Sequence, residues 1–288
     1  MRPVLLATCA AFPDGDEDAP ALLTALDARG IAARFAVWND PSVDWSGALS
    51  VLRSTWDYTL RRTEFLEWAA TVAQLHNRAD VVLWNSDKVY LHELEDAGVP
   101  VTPTQVVPPG DRPQFPDDVE FVVKPSVGAG SRGAGRFVAA AAPQAAAHAA
   151  ALHAAGRTVL VQPYLSGVDE AGETALIYFS GTLSHAIRKG PMLAADTAHD
   201  IDERSGLFID ENISARDPSA AELAVGERTV QFLRARFGDD PLYARIDLLP
   251  GPSGPVVVEV ELTEPSLFLS YRAGAADRFA DAIARRAA

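Results

Sequence analysis

Cysteine is almost missing from this chain: Cys9 is the only one in 288 residues, so no internal disulfide can staple the fold, and a reducing compartment suits it. Long apolar runs are missing too. The opening run is short and gives way to Pro13 and a group of acids, too short for a signal sequence or a membrane span. No later stretch approaches roughly eighteen apolar residues. A cytoplasmic protein with no membrane partner is the expectation. Basic residues are in deficit, with 25 Lys+Arg against 39 Asp+Glu and a formal charge of −14. That field repels nucleic acid and anionic lipid, so any cation that meets an anionic ligand must be placed locally. The six histidines form no metal-binding pattern; His148 and His153 stand five apart with no cysteine pair beside them. Nor is there a Ser-His-Asp or Cys-His set for nucleophilic catalysis. What remains is ordinary globular material, 48% hydrophobic and 22% charged, long enough for two or three lobes.

Hydropathy patterning predicts an α/β protein. Residues 4–8 form a buried run, 19–29 have helical spacing ending at Gly30, and 31–38 form a second run, a β-α-β beginning. Strands at 51–54 and 81–84 around a helix at 63–75 extend it to a parallel sheet, giving a first lobe over residues 1–86. Residues 86–97 read as one helix capped by Ser86 and stopped at Gly98, followed by a proline-punctuated connector. A central lobe, 87–163, holds a strand at 121–124, a glycine-rich loop, a returning strand and an alanine-rich helix from Pro143. A C-terminal lobe, 164–288, is strand-rich, with 242–249 and 256–262 flanking a Pro-Gly-Ser-Gly turn as an antiparallel pair would. Residues 193–214 read as a long polar loop.

Two segments carry chemistry. Residues 121–135 read FVVKPSVGAGSRGAG. A strand that delivers Lys124 straight into a loop containing Gly128, Gly130, Ser131 and Gly133 suits a polyphosphate: backbone N–H groups converge on oxygens and the ammonium adds a point charge. The same glycines match the dinucleotide pattern, but no Asp or Glu follows until Asp169 to hold a ribose, and no Gly-Lys-Ser/Thr ends the segment as a Walker loop needs. In the second segment, Arg245 and Asp247 share one strand face, and Glu259 and Glu261 share another. If these strands pair, three carboxylates and a guanidinium gather on one surface. Two glutamates at i, i+2 repel unless a cation lies between them, and hard oxygen donors suit magnesium. A solvated amphipathic hairpin is the plainer reading, which the apolar neighbours Val256, Val257, Val258, Val260 and Leu262 disfavour.

Taken in order, these elements resemble the ATP-grasp superfamily over essentially the whole chain. The resemblance implies a parallel-sheet first lobe, a central lobe whose glycine loop covers ATP, and an antiparallel C-terminal lobe that holds two Mg²⁺ ions, with Mn²⁺ able to substitute. By position it assigns Lys88 and Lys124 to the ATP phosphates, Lys189 to the γ-phosphate, and Gln162, Tyr164 and Leu165 to the adenine hinge. Glu173, with Asp169 as an alternative, would bind ribose; Arg245 would stabilise the transferring phosphoryl group; Asp247, Glu259 and Glu261 would bind metal. Many members carry Glu where Gln162 stands and Asn where Glu261 stands. Residues 53–58 (RSTWDY) and 262–269 (LTEPSLFL) resemble the branch that closes O-ureido-D-serine to D-cycloserine. In that branch Arg53, Tyr58 and Ser266 would face an amino-acid substrate. The implied activity is carboxylate activation as an acyl phosphate, then attack by nitrogen, intramolecular in this branch or directed at another amino acid or peptide elsewhere. A homodimer is implied. A silent nucleotide-binding module and a dehydrogenase are the rival readings.

Overall fold

The apolar run near the start becomes a fully buried strand, β1 (Val4–Thr8), in a computed structural model that describes residues 2–191, 193 and 212–288. Helix α1 (Ala19–Asp27) and strand β2 (Ala33–Val37) follow, then β3 (Leu49–Leu52), α2 (Arg62–Thr71) and β4 (Leu75–His76). The four strands form a parallel sheet ordered β2-β1-β3-β4. The fourth strand is therefore Leu75–His76 and not 81–84. That segment lies in α3 (Ala79–Asn85), where Val81 and Val82 are buried and Leu83 is 57% exposed. A short apolar run does not distinguish strand from helix, and here one helix face absorbs it.

The single helix expected over 86–97 is also broken. Asp87, rather than Ser86, accepts from the Val89 amide and opens a tight turn at Lys88–Tyr90, after which α4 (Leu91–Asp96) begins. Ser86 instead ends α3, where its hydroxyl accepts from Arg62 Nε at 2.9 Å.

The proline-punctuated connector contains β5 (Gln105–Val107), followed by β6 (Phe121–Pro125), β7 (Gly135–Phe137), α5 (Ala142–Ala154) and β8 (Val159–Pro163). These strands make an antiparallel sheet ordered β5-β8-β6-β7. Alternation along β6 sends Phe121 and Val123 into a core shared with Ala145, Ala149 and Leu152 of α5, leaving Val122 and Lys124 on the opposite face.

The rest comprises α6 (Gly167–Ala171), β9 (Glu173–Phe179), β10 (Thr182–Lys189), β11 (Ile213–Arg216), α7 (Ala220–Phe237), β12 (Tyr243–Gly251), β13 (Gly254–Glu261) and α8 (Ala275–Ala287). Its five-stranded sheet is antiparallel, ordered β11-β10-β9-β12-β13. The expected loop 193–214 falls largely outside the described residues; Ile213 and Ser214 already belong to β11. Both chain ends build one core: Phe279 and Ile283 of α8 pack with Leu22 and Leu26 of α1 and with Ile177 and Phe179 of β9. Among the described residues no helix is long and apolar enough to cross a membrane.

Candidate active site

The cleft between the last two sheets has its floor on β12 and β13. Their register sets Arg245 opposite Glu261 and Asp247 opposite Glu259, with a bulge immediately after Asp247, so all four side chains share one face. Antiparallel pairing of β9 and β10 adds Glu173 opposite Lys189 on the same side. Lys189 Nζ donates to Asp247 Oδ2 at 2.7 Å and is ion-paired with Glu173. Arg245 grips Asp247 with Nε to Oδ1 at 2.9 Å and Nη2 to Oδ2 at 2.9 Å, and it is also ion-paired with Glu261. Glu259 meets Lys88 Nζ at 2.9 Å. The break before α4 aims Lys88 inward, where its ammonium also donates to the Gly128 carbonyl at 2.6 Å.

The roof is β6, β8 and the glycine loop. Lys88, Lys124, Gly128, Gly130, Ser131, Gln162, Tyr164, Leu165, Glu173, Lys189, Arg245, Glu259 and Glu261 all line the cleft. Gly130, Ser131 and Gly133 have φ of 59°, 55° and 70°, a left-handed path that glycine takes without strain and Ser131 does not. Gly133 faces Pro125 and Leu152 rather than the cleft. Gln162 gives its amide nitrogen to Thr104 Oγ1 at 2.8 Å, and next to it the Tyr164 amide donates to the Glu120 carbonyl at 2.7 Å. Tyr164 lies under the Arg136 guanidinium, 3.5 Å from the ring centroid, and its hydroxyl donates to Asp169 at 2.5 Å. Asp169 is thus engaged on the rim, while Glu173 sits inside.

Burial sets the charge states. It pushes the Lys124 ammonium down to about 8, Glu259 working against that shift and Lys88 adding to it. Glu173 is raised to about 7 by burial, with Lys189 opposing. Burial also lifts Glu261 well above the usual range, and the like charges of Glu259 and Asp247 add to that against Arg245. Asp247 behaves oppositely: burial alone would raise it, but Arg245 and Lys189 outweigh burial and hold it below the ordinary carboxylate range. Among the described residues no three acid or imidazole groups converge as a ready-made metal cage. The donor chemistry nevertheless fits a hard divalent cation: oxygen ligands only, two of them side by side on β13 facing the cleft, and one, Glu261, held back from ionising by burial and by its like-charged neighbours.

Of the candidates for the amino-acid end, Arg53 and Tyr58 come from the first lobe and Ser266 from the C-terminal one, and none of the three lines the cleft. Arg53 is 0% exposed; it donates to the Pro265 carbonyl at 3.2 Å and to Asp16 at 3.0 Å. Tyr58 is buried and shares a hydrogen bond with Glu264, whose carboxyl burial raises to about 8. Ser266 offers its carbonyl to Arg245 at 3.2 Å. Sequence reasoning passed over Glu264, although it stands inside the quoted 262–269 segment, and Arg132, inside the quoted loop.

The fold recurs in known proteins. Residues 4–85 match the family model described as D-cycloserine synthetase DcsG, N-terminal domain. The chain is 40% identical to the cycloserine biosynthesis protein DcsG of Streptomyces lavendulae over 290 aligned positions, covering 94% of each. It superposes on the crystal structure of D-cycloserine synthetase DcsG with a TM-score of 0.88 at 38% identity, over 99% of both chains. A D-alanine–D-alanine ligase from Bacillus anthracis, complexed with ATP, shares the fold at a TM-score of 0.64 and 13% identity, covering 100% of this chain and 97% of its own. With two fifths of its residues identical along nearly the whole length, and the basic and acidic residues of the resemblance gathered on facing walls of one cleft, this chain belongs to the D-cycloserine synthetase family of ATP-grasp ligases.

Proposed function

We propose that this enzyme uses ATP to activate the carboxylate of O-ureido-D-serine and closes it to D-cycloserine. The observation that carries the reading is the facing of the two walls: Lys124 and the glycine loop on one side, the register-locked Arg245, Asp247, Glu259 and Glu261 on the other. A carboxylate is a poor electrophile because its leaving group is oxide. Phosphoryl transfer from ATP makes an acyl phosphate and releases ADP. The nitrogen bonded to the side-chain oxygen then attacks the acyl carbon, loses its proton and expels phosphate. The carbamoyl group on that nitrogen departs with water as carbamic acid, which breaks down to ammonia and carbon dioxide.

In this reading Lys88, Lys124 and Lys189 neutralise ATP phosphates, and amides of the 128–133 loop bind phosphate oxygens. The backbone of 163–165 meets adenine, with Gln162 held back by Thr104, and Glu173 takes the ribose in preference to Asp169. Arg245 stabilises charge on the transferring phosphoryl group. Asp247, Glu259 and Glu261 would hold two Mg²⁺ ions, or Mn²⁺ in their place; bound there, such ions act as Lewis acids on the phosphoryl oxygens. Arg53, Tyr58 and Ser266 shape the amino-acid end, Arg53 by fixing the backbone at Pro265 rather than by touching substrate. The setting is the cytoplasm and the assembly a homodimer, which light scattering reads directly.

The test is ADP release with magnesium and ATP across a panel of amino acids that includes O-ureido-D-serine, with products identified by mass. ADP that depends on that substrate and accompanies a cyclised product supports the reading. ADP with a different acid keeps the ligase and discards the substrate, and silence across the panel refutes catalysis.

A further inference from the structure

The glycine loop is fastened at its back and at its tip. At the back, His148 of α5 hydrogen-bonds the Gly133 carbonyl at 2.8 Å. At the tip, Arg132 leaves its own lobe: Nη2 donates to Thr59 Oγ1 at 2.7 Å and to the Trp56 carbonyl at 3.2 Å. Both partners belong to the tight turn Trp56–Leu60 of the first lobe. That turn is itself tied to the third lobe, because Trp56 Nε1 donates to the Glu264 carbonyl at 3.0 Å and Tyr58 shares a hydrogen bond with the Glu264 side chain. The chain then runs two residues on to Ser266, whose carbonyl Arg245 holds. One guanidinium thus joins the phosphate loop to the turn carrying Tyr58, and through it to the strand bearing the charged cluster.

We propose that Arg132 is a positioning residue that latches the glycine loop to the first lobe, so that the loop closes over phosphate only when the amino-acid end of the cleft is assembled. The contact is suited to that task. Arginine's Nη2 carries two N–H groups, fixed in the guanidinium plane, and one each serves the hydroxyl and the carbonyl. Thr59 is only 8% exposed, so its oxygen, if released, has little water to turn to. The catalytic consequence, which rests on the function proposed above, is protection of the acyl phosphate. Water adding at the acyl carbon returns the carboxylate and inorganic phosphate, so every leaked turnover spends one ATP without forming a ring. A loop free to open admits that water; a latched loop excludes it.

Two readouts test the latch, one of them independent of activity. Within the loop the Arg132 amide bonds to the Ala129 carbonyl and the Ala134 amide to the Ser131 carbonyl, so hydrogen exchange over 128–135 reports its opening. In the ligand-free protein, Arg132→Ala and the near-isosteric Thr59→Val should each speed that exchange by about tenfold, while Arg132→Lys falls between. Unchanged exchange in Thr59→Val overturns the latch, whatever substrate the enzyme takes. With substrate, ADP formed per ring-closed product should rise in both variants by about tenfold over wild type. A ratio equal to wild type in both overturns the coupling and leaves the ligase assignment standing; absence of any ring-closed product from wild-type enzyme strikes the function instead, and exchange still decides the latch.

Discussion

Asp247→Asn is the most informative single change, because it removes one charge and almost no volume. In the ligand-free cleft Lys88, Lys124, Lys189 and Arg245 meet Glu173, Asp247, Glu259 and Glu261. Asp247 is 1% exposed, and its two oxygens receive Lys189 at 2.7 Å and both arms of the Arg245 fork at 2.9 Å. An amide keeps one oxygen and turns its nitrogen, a donor, against a donor. The partly orphaned cations should cost about 3–5 kcal/mol of stability, the range for breaking one side of a buried ion pair. For a chain of this size that is a fall in Tm on the order of 10 °C. On the function proposed above, the same change also takes away a hard anionic metal ligand and loosens Arg245, so turnover should fall about 100- to 1000-fold, with more Mg²⁺ needed for half-maximal rate. Differential scanning fluorimetry and a coupled ADP assay over a magnesium series measure both. Turnover within about tenfold of wild type together with the expected drop in Tm would refute the metal assignment and leave Asp247 a structural ion. An unchanged Tm would refute the ion-pair reasoning itself.

Glu264 is neutral in the fold well above the usual carboxylate range, near 8, so the native state holds a proton that the unfolded chain has released; stability is therefore full at low pH and lost as pH climbs to about 8. Relative to wild type, Glu264→Gln should flatten the fall in unfolding free energy between pH 5 and 9, by an amount on the order of 5 kcal/mol, and parallel curves in denaturant unfolding would refute it. Lys124, depressed to about 8 by burial, must be protonated to attract phosphate, so ATP affinity should weaken as pH rises through 8 and binding below that point should need no proton uptake; calorimetry in buffers of different ionisation enthalpy checks both. Asn85→Ala removes the 2.6 Å bond to the Val260 carbonyl, which keeps the Tyr90 hydroxyl at 2.8 Å, and leaves the Leu262 amide, now bonded at 2.7 Å, without its partner; it should lower stability by about 2 kcal/mol in denaturant unfolding, and a change below about 0.5 kcal/mol refutes the idea that this side chain ties the first lobe to β13.

What could be read from the sequence had a local cause. The face shared by Arg245 and Asp247, and by Glu259 and Glu261, follows from the two-residue period of a strand, and the Pro-Gly-Ser-Gly turn makes the two strands neighbours; Val260 and Leu262 then alternate into the core, whereas Val257 joins them only through the bulge after Asp247, which the period does not encode. Lys124 stands out because the strand that became β6 delivers it straight into the glycine loop. The failures share the opposite cause. Residues 81–84 were equally compatible with strand and helix until Trp84 stacked on Tyr90 with ring centroids 4.6 Å apart, a contact that no periodicity encodes. Strand β5 is three residues long and owes its existence to β8, more than fifty positions away.

Arg132 and Glu264 escaped notice for the same reason. Each is an unremarkable polar residue in its own segment, and each acquires meaning from a residue of the first lobe. Arg132 meets Thr59 across 73 positions of sequence, and Glu264 meets Trp56 across 208. The available signal was compositional: a carboxyl set between Leu262 and Leu267, a stretch buried at both ends, in a chain whose other cleft carboxylates are already matched by cations. A carboxyl placed there must find a hydrogen-bond donor or keep its proton. In this structure Glu264 does both, and the donor is the phenol of Tyr58. On the function proposed above, a pair of this kind, neutral and adjoining the charged cluster, is the natural boundary between a phosphate-handling part of the cleft and a part that receives an amino acid.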